Sequence, residues 1–259
     1  MMRRLRFTVI PLVAAAAAFI PQAQAQAQDA GGPGISFELG AAGKVAPRYF
    51  GASKLVLSPV PLFRLKRLEL PNGFAIGGGS DEGFSLSPSI DVIGKRSIAN
   101  SPELTGLNTI DTAVELGVKA KYQSGNFRVT GAVRQGFGGH KGVRAELGAD
   151  AIFKAGDQWT FHAGPRLNFG SSKFTNTYFG VTAAEASALY PATTASGGLY
   201  SAGLEAGVRF QVDDNWAVEA DAGWSRLTGD AARSPITAQG SKNQYSASFG
   251  VVRRFDIGF

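Results

Sequence analysis

Residues Thr109 to Gly156 read TIDTAVELGVKAKYQSGNFRVTGAVRQGFGGHKGVRAELGADAIFKAG. In the first run, Ile110, Thr112, Val114, Leu116, Val118, Ala120 and Tyr122 take every second position. Asp111, Glu115, Lys119 and Lys121 fall between them. A period of two puts one set on each face of a strand, one mostly apolar and the other charged. The second run repeats the pattern, with Phe127, Val129, Gly131, Val133 and Phe137 opposite Arg128, Thr130, Ala132 and Arg134. The third sets Val143, Leu147 and Phe153 opposite Arg144, Glu146, Asp150 and Lys154. Gln123 to Asn126 and Gly138 to Gly142 carry turn chemistry. The stretch therefore predicts three long antiparallel strands in a meander.

A soluble sandwich and a membrane barrel both alternate in this way, and the aromatic residues separate them. Tyr122 and Phe127 flank one short turn, Phe153 and Trp159 a second, Phe210 and Trp216 a third, all on the apolar face. Phe137, Phe169, Tyr200 and Trp224 are expected on that face at the opposite strand ends. Phe127 to Phe137, Trp159 to Phe169 and Tyr200 to Phe210 each span ten residues. Ten residues rise about 33 Å along a strand. Tilted, that projects to about 25 Å, the height of the lipid-facing band of an outer-membrane barrel. A sandwich gives no reason for two aromatic rows at that spacing.

The leader agrees with export. Arg3, Arg4 and Arg6 precede an apolar stretch from Phe7 to Ile20, and Ala23-Gln24-Ala25 or Ala25-Gln26-Ala27 offers a small-residue cleavage site. Residues 1–27 read as a cleaved signal peptide and 28–259 as a single barrel domain. The apolar part is too short for a membrane-spanning helix. Removing its three arginines from a formal charge of +6 leaves +3, spread along the strands. No basic stripe suited to nucleic acid is visible. The chain has no Cys, which rules out disulfides, thiolate catalysis and cysteine-based zinc sites.

Counting strands back from the C-terminus gives an all-β, antiparallel up-and-down barrel. Ten strands result if Phe74 to Lys95 forms one bulged strand, and twelve if it splits near Gly77-Gly78-Gly79. The termini and short turns should be periplasmic. Arg96 to Asn108, Ser171 to Gly197 and Gly229 to Asn243 should be outer loops, with Ala183 to Leu189 helix-compatible. Pro59 and Pro61 argue for a bulge or local edge in the second strand.

Candidate chemistry is sparse. His140 sits in a Gly-Gly-His-Lys-Gly turn without a nucleophile or orienting group beside it, and reads as a turn residue. His162 should face inward beside Arg166. Two histidines on separate strands give no metal-ligand spacing. Asp111 with Glu115, and Glu219 with Asp221, are inward carboxylate pairs. Inward Lys119, Arg128, Arg134, Arg144, Arg166 and Arg209 match them, as in a mixed-sign lumen network. Gly77-Gly78-Gly79 lacks the Lys-Ser/Thr of a phosphate loop. No catalytic, cofactor-binding or metal residues are assigned, no enzymatic activity is expected, and a narrow filled lumen predicts little conductance.

Five stretches resemble the MipA/OmpV family of outer-membrane proteins: Pro47 to Ser53 (PRYFGAS), Asp111 to Gly117 (DTAVELG), Arg134 to Gly142 (RQGFGGHKG), Tyr178 to Val181 (YFGV) and Ser225 to Pro235 (SRLTGDAARSP). Arg233 departs from the acid usual before Ser234-Pro235, and the chain continues past Phe255. The resemblance implies an outer-membrane scaffold linking a periplasmic lytic transglycosylase to a penicillin-binding peptidoglycan synthase. Alternatives within the family are a narrow porin-like role or surface binding, as in adhesins and antibiotic-response proteins. Outer-membrane lipid is the expected surrounding, with no cofactor.

Overall fold

The computed structural model describes residues 32–72, 75–77 and 82–259. The expected signal peptide, most of the Gly77-Gly78-Gly79 run and Ser80-Asp81 lie outside the described residues. Strands β1 (Gly34–Pro47), β2 (Leu55–Glu69), β3 (Ala75–Gly77), β4 (Gly83–Ile93), β5 (Ala113–Ser124), β6 (Phe127–Gly138), β7 (Val143–Ala155), β8 (Trp159–Gly170), β9 (Gly198–Gln211), β10 (Trp216–Leu227) and β11 (Asn243–Gly258) form one antiparallel sheet. Helices α1 (Ser172–Phe179), α2 (Gly229–Arg233) and α3 (Pro235–Ala238) lie in connections.

Among the described residues each strand pairs with its neighbour in sequence except β3 with β4, and β1 also pairs with β11, from Gly34↔Gly258 to Val45↔Ala247. That last ladder wraps the sheet. The short β3 pairs with β2, and β4 with β5. They are consecutive in the chain and stand at the two ends of the sheet order. The architecture is a nearly closed barrel of ten antiparallel strands, as the one-strand reading of Phe74 to Lys95 expects.

The barrel is apolar outside and charged inside. Phe127 and Leu57 are each 69% exposed, whereas Glu38 is 3%, Glu115 0% and Asp150 4% exposed. In water this would waste the apolar area that drives folding. In hydrocarbon the same arrangement is the stable one, because lipid solvates the outer face and strand pairing satisfies the backbone. Among the described residues no helix is long and apolar enough to cross a membrane.

Local sequence explains the irregularities. Pro165 has no N–H to give, and the β7–β8 ladder skips from Gly148↔Arg166 to Ala151↔Ala163 around it. Gly125, with φ +55°, and Gly156, with φ +64°, take left-handed positions in the tight turns. Arg253, on the outer face, lays its guanidinium 5.4 Å from the Trp216 ring and 5.1 Å from that of Phe255. These cation–π contacts account for a charge on an apolar face.

Several expectations are corrected. The fourth long strand begins at Ala113 and not at Thr109. Ile110 instead forms an isolated bridge to Arg96 and is buried with loop residues. Asp111 is consequently outside the lumen, its Oδ1 3.0 Å from Lys95 Nζ and largely exposed. Tyr200 is not in the outer aromatic row. A bulge between Asn168 and Phe169 pairs Phe169 with Leu199, and Tyr200 turns into the interior. The long loop is helical over Ser172–Phe179 and not over Ala183 to Leu189, where Thr182 N–H and Oγ1–H donate to Glu185 at 3.0 and 2.6 Å in a turn.

Replacing Val133, on the lipid face of β6, with Arg should cost about 2–4 kcal/mol if its site is near the bilayer midplane. Thr130→Ala on the inner face should cost far less. Urea unfolding in lipid vesicles, read by heat-modifiable gel mobility, checks the contrast.

Candidate functional site

The start of β1, the end of β11 and the short turns gather at one end of the barrel. At the other, residues 48–54, 94–112, 139–142, 171–197 and 228–242 fold together over the opening. Short turns are periplasmic and long loops extracellular in such barrels, so the long loops form an extracellular cap.

The cap is built around α1. Ser171 is its N-cap, its side chain accepting from Phe174 N–H. Phe174 and Tyr178, one turn apart, face inward with Phe179. Phe50 from the β1–β2 connection meets Tyr178, Phe174 and Phe179 at ring-centroid distances of 5.1, 5.7 and 5.9 Å. Tyr200 reaches Phe174 at 5.1 Å. A second cluster joins Tyr49, Ala52, Leu104, Leu107, Val181, Tyr190 and Ile236. Edge-to-face pairs of this kind add about 0.5–1.5 kcal/mol each beyond burial.

Polar clasps tie the loops together. Arg96 Nη1 donates to Tyr178 O at 2.9 Å, Ser234 Oγ to Phe179 O at 2.7 Å, and Tyr190 OH to Glu103 O at 2.5 Å. Gly51 N–H donates to Gln244 Oε1 at 3.1 Å, fixing the first loop to β11. Burial and the nearby Glu103 push the Tyr49 hydroxyl up to about 12. All these tyrosines stay neutral in the physiological range.

Beneath the aromatic layer lies a charged cluster. His140 is buried, its ring 5.1 Å from Phe174 and 5.6 Å from Tyr178, edge-on to each. Gly142 N–H donates to its Nδ1 at 3.2 Å. The proton therefore resides on Nε2, which donates to Glu115 Oε1 at 3.1 Å. Arg144 pairs with Glu115 Oε2 at 2.8 Å and with Asp91. Burial first, and Arg144 second, hold the imidazole below its ordinary 6.5. The glycines of this loop make the geometry possible, because a Cβ at Gly136 would overlap the His140 ring and one at Gly142 would meet Phe174.

Ion pairs continue down the lumen. Asp150 accepts from Arg128 at 2.8 Å and from Arg166 at 2.7 Å, and Arg166 reaches Glu205 at 2.9 Å. Arg64 and Arg209 both clamp Glu219, each at 2.6 Å, and both reach Glu38, at 3.2 and 2.8 Å. His162 Nε2 lies 3.5 Å from Asp221 Oδ1. Glu219 and Asp221 are thus both inward, but each is held by its own base. Pairing charges across a low-dielectric lumen offsets the desolvation each incurs.

Two depressions open on the cap. One, of about 550 Å³, is lined by His140, Lys141, Lys173, Asn176 and Thr194 among others, and one of about 350 Å³ by Thr175, Tyr200, Asp230 and Arg233. Arg233 pairs there with Asp230. Among the described residues no cluster of His, Asp or Glu has metal-binding geometry. The sequence stretches singled out above converge here. Tyr49, Phe50 and Ala52 come from the first, Glu115 from the second, His140 from the third, Tyr178, Phe179 and Val181 from the fourth, and Ser234 from the last. Sequence reasoning missed the roles of Arg96 and Arg144, whose partners are distant in the chain. Glycines around His140 were the available signal.

A family model described as MltA-interacting protein MipA matches residues 39–255. Nothing matches among the curated proteins. Among solved structures, the chain is similar to the COG4313 outer-membrane channel from Pseudomonas putida F1, at 12% identity and TM-score 0.45, covering 91% of this chain and 100% of that one. Neisserial surface protein A matches at 12% identity and TM-score 0.32, over 85% and 97%. Vibrio cholerae OmpT matches at 10% identity and TM-score 0.34, over 85% and 97% and 98% in two versions of that barrel, the second at 8% identity. Likenesses this distant carry nothing about ligands.

Glu115→Ala leaves Arg144 and His140 without their shared acceptor and should cost about 3–5 kcal/mol. Glu115→Gln should cost less. Because the folded His140 binds its proton less readily than the unfolded chain, its contribution is complete above about pH 6.5 and is lost as pH falls below that value. Limited proteolysis within Ser171 to Gly197 should therefore accelerate below pH 6.5, and His140→Gln should flatten the dependence.

Proposed function

The chain belongs to the MltA-interacting protein MipA family, and from that premise we propose that this outer-membrane barrel is a non-enzymatic scaffold. Its periplasmic rim would hold a lytic transglycosylase, the partner class in the family's name, together with a penicillin-binding peptidoglycan synthase. The observation that supports a scaffold over a transporter is the cap. The extracellular loops spend their aromatic side chains on one another and close over a lumen whose charges are largely paired. A wall covered by lipid and a mouth covered by its own loops leave the periplasmic rim as the surface for envelope partners.

That rim is polar. Asp157 and Gln158, Asp213 to Asn215, and Arg254 paired with Asp256 at 2.9 Å lie along it. Each turn is small beside the roughly 800 Å² per partner of a standard interface. Partners are therefore expected to engage several turns together, with modest affinity and a marked salt dependence.

Photo-cross-linkers placed at Asp157 and at Asp214 should capture a lytic transglycosylase in intact cells. The same group at Lys173 on the cap should not. Exchanging the two turns for uncharged ones should reduce capture without loss of barrel assembly. Capture only from Lys173, or of no cell-wall enzyme at any position, would contradict the scaffold reading.

A further inference from the structure

The larger depression on the cap, of about 550 Å³, lies between the β6–β7 connection and α1. Buried His140 is at its base. Lys141, exposed, stands between buried His140 and buried Gly142 and forms one side. The other side is the outer face of α1. Because Phe174, Thr175, Tyr178 and Phe179 are turned into the cap, Lys173, Asn176 and Thr177 face out. Thr194 completes the wall. Asn176 Oδ1 accepts from Ala195 N–H at 3.1 Å, which holds the helix against that wall.

The charges here differ from those of the lumen. Below the cap, Arg128, Arg144, Arg166 and Arg209 are each set against a carboxylate. Among the described residues Lys141 and Lys173 join no ion pair, and no carboxylate lines the depression. Asp111, whose carbonyl lies against Gly139, gives its carboxylate to Lys95 at 3.0 Å. No large apolar side chain lines the depression either. Lysine stems and threonine methyls beside amide and hydroxyl groups suit a sugar ring, which offers C–H faces and hydroxyls together. Two ammonium groups without a carboxylate suit a phosphate carried on that ring.

The height of the depression indicates where such a sugar comes from. Phe137 and Phe169, at the outer ends of β6 and β8, belong to the aromatic row that marks the edge of the hydrocarbon. Between them Val143 opens β7 on the lipid side, paired with Gln135. Lys141 is the next residue out on that side. Ser171 N–H donates to Val143 O at 2.8 Å, which brings the start of α1, and with it Lys173, to the same level. We propose that this depression binds the phosphorylated sugar headgroup of a lipid in the surrounding outer leaflet. The phosphate lies between Lys141 and Lys173, and the ring lies against Asn176, Thr177 and Thr194. The inference is independent of the scaffold reading, whose contacts are at the opposite end of the barrel.

The full chain is reconstituted in phosphatidylcholine nanodiscs doped with lipid A, a phosphorylated glucosamine disaccharide lipid, and retained lipid is counted by native mass spectrometry. One lipid A per barrel should be retained saturably. Lipid A stripped of its phosphates should bind about tenfold more weakly, the effect expected of two exposed ionic contacts together. Lys141→Gln with Lys173→Gln should lose about the same factor, whereas Lys54→Gln on the β1–β2 connection should not. Thr194→Tyr fills the depression without changing its charge and should also weaken retention. If it does not assemble, as read by heat-modifiable mobility, Thr194→Gln probes the same wall. Glucosamine 6-phosphate in the millimolar range should compete, which ties the contact to the headgroup. Equal retention of lipid A and its phosphate-free form, retention unchanged by the double lysine variant or by filling at Thr194, or binding of the soluble sugar phosphate without lipid A would each overturn the proposal.

Discussion

Backbone amides and carbonyls cannot be left unpaired in hydrocarbon, where each orphan costs several kcal/mol. That constraint explains why the sheet wraps until β1 meets β11. It also explains why side chains sort opposite to those of a soluble protein. Once the ring exists, alternate residues must face either lipid or a confined lumen, and the charged half has only itself for company. Among the described residues the one gap in this ring lies between β2 and β4, which no ladder joins.

The lumen network follows from the same confinement. Buried ion pairs seldom add much net stability, because desolvation cancels most of the attraction. Their consequence is specificity. Glu38 is shared by Arg64 on β2 and Arg209 on β9, and Glu219 on β10 joins the same two arginines. A one-residue slip of any of these strands would expel a charge into lipid. Asp150 fixes β6, β7 and β8 in the same way through Arg128 and Arg166. At the top, Glu115 and Arg144 pass this order to the cap through His140, so the loops sit on a charged platform that the barrel itself defines.

The wall was legible in the sequence because its cause is local. Period-two alternation and the short turns depend on neighbouring residues, and β6, β7 and β8 appear where the pattern put them. The cap was not legible, because its causes are distant in the chain. Nothing near Ile110 announces that it will bridge Arg96 and leave the lumen. Nothing near Tyr200 announces the bulge in the facing strand that turns it from lipid to interior. Helix α1 depends on Ser171 as its N-cap and on Phe50, a partner more than a hundred residues earlier, so the alanine-rich stretch after it looked the better helix. From its Gly-Gly-His-Lys-Gly context His140 reads as a turn residue. It does shape its turn, through Gly142 N–H, and its Nε2 also reaches Glu115 on β5, which only the folded ring brings near.

The central claim is that this chain is inverted, with its charged residues facing a lumen and its apolar residues facing lipid. The absence of cysteine makes that claim directly measurable. Single cysteines introduced one at a time along β6, from Arg128 to Arg134, can carry nitroxide labels in lipid vesicles. The account predicts that collision with oxygen, which concentrates in hydrocarbon, is high at 129, 131 and 133 and low at 128, 130, 132 and 134. Oxygen access without a period of two, or with the even positions favoured, would contradict it.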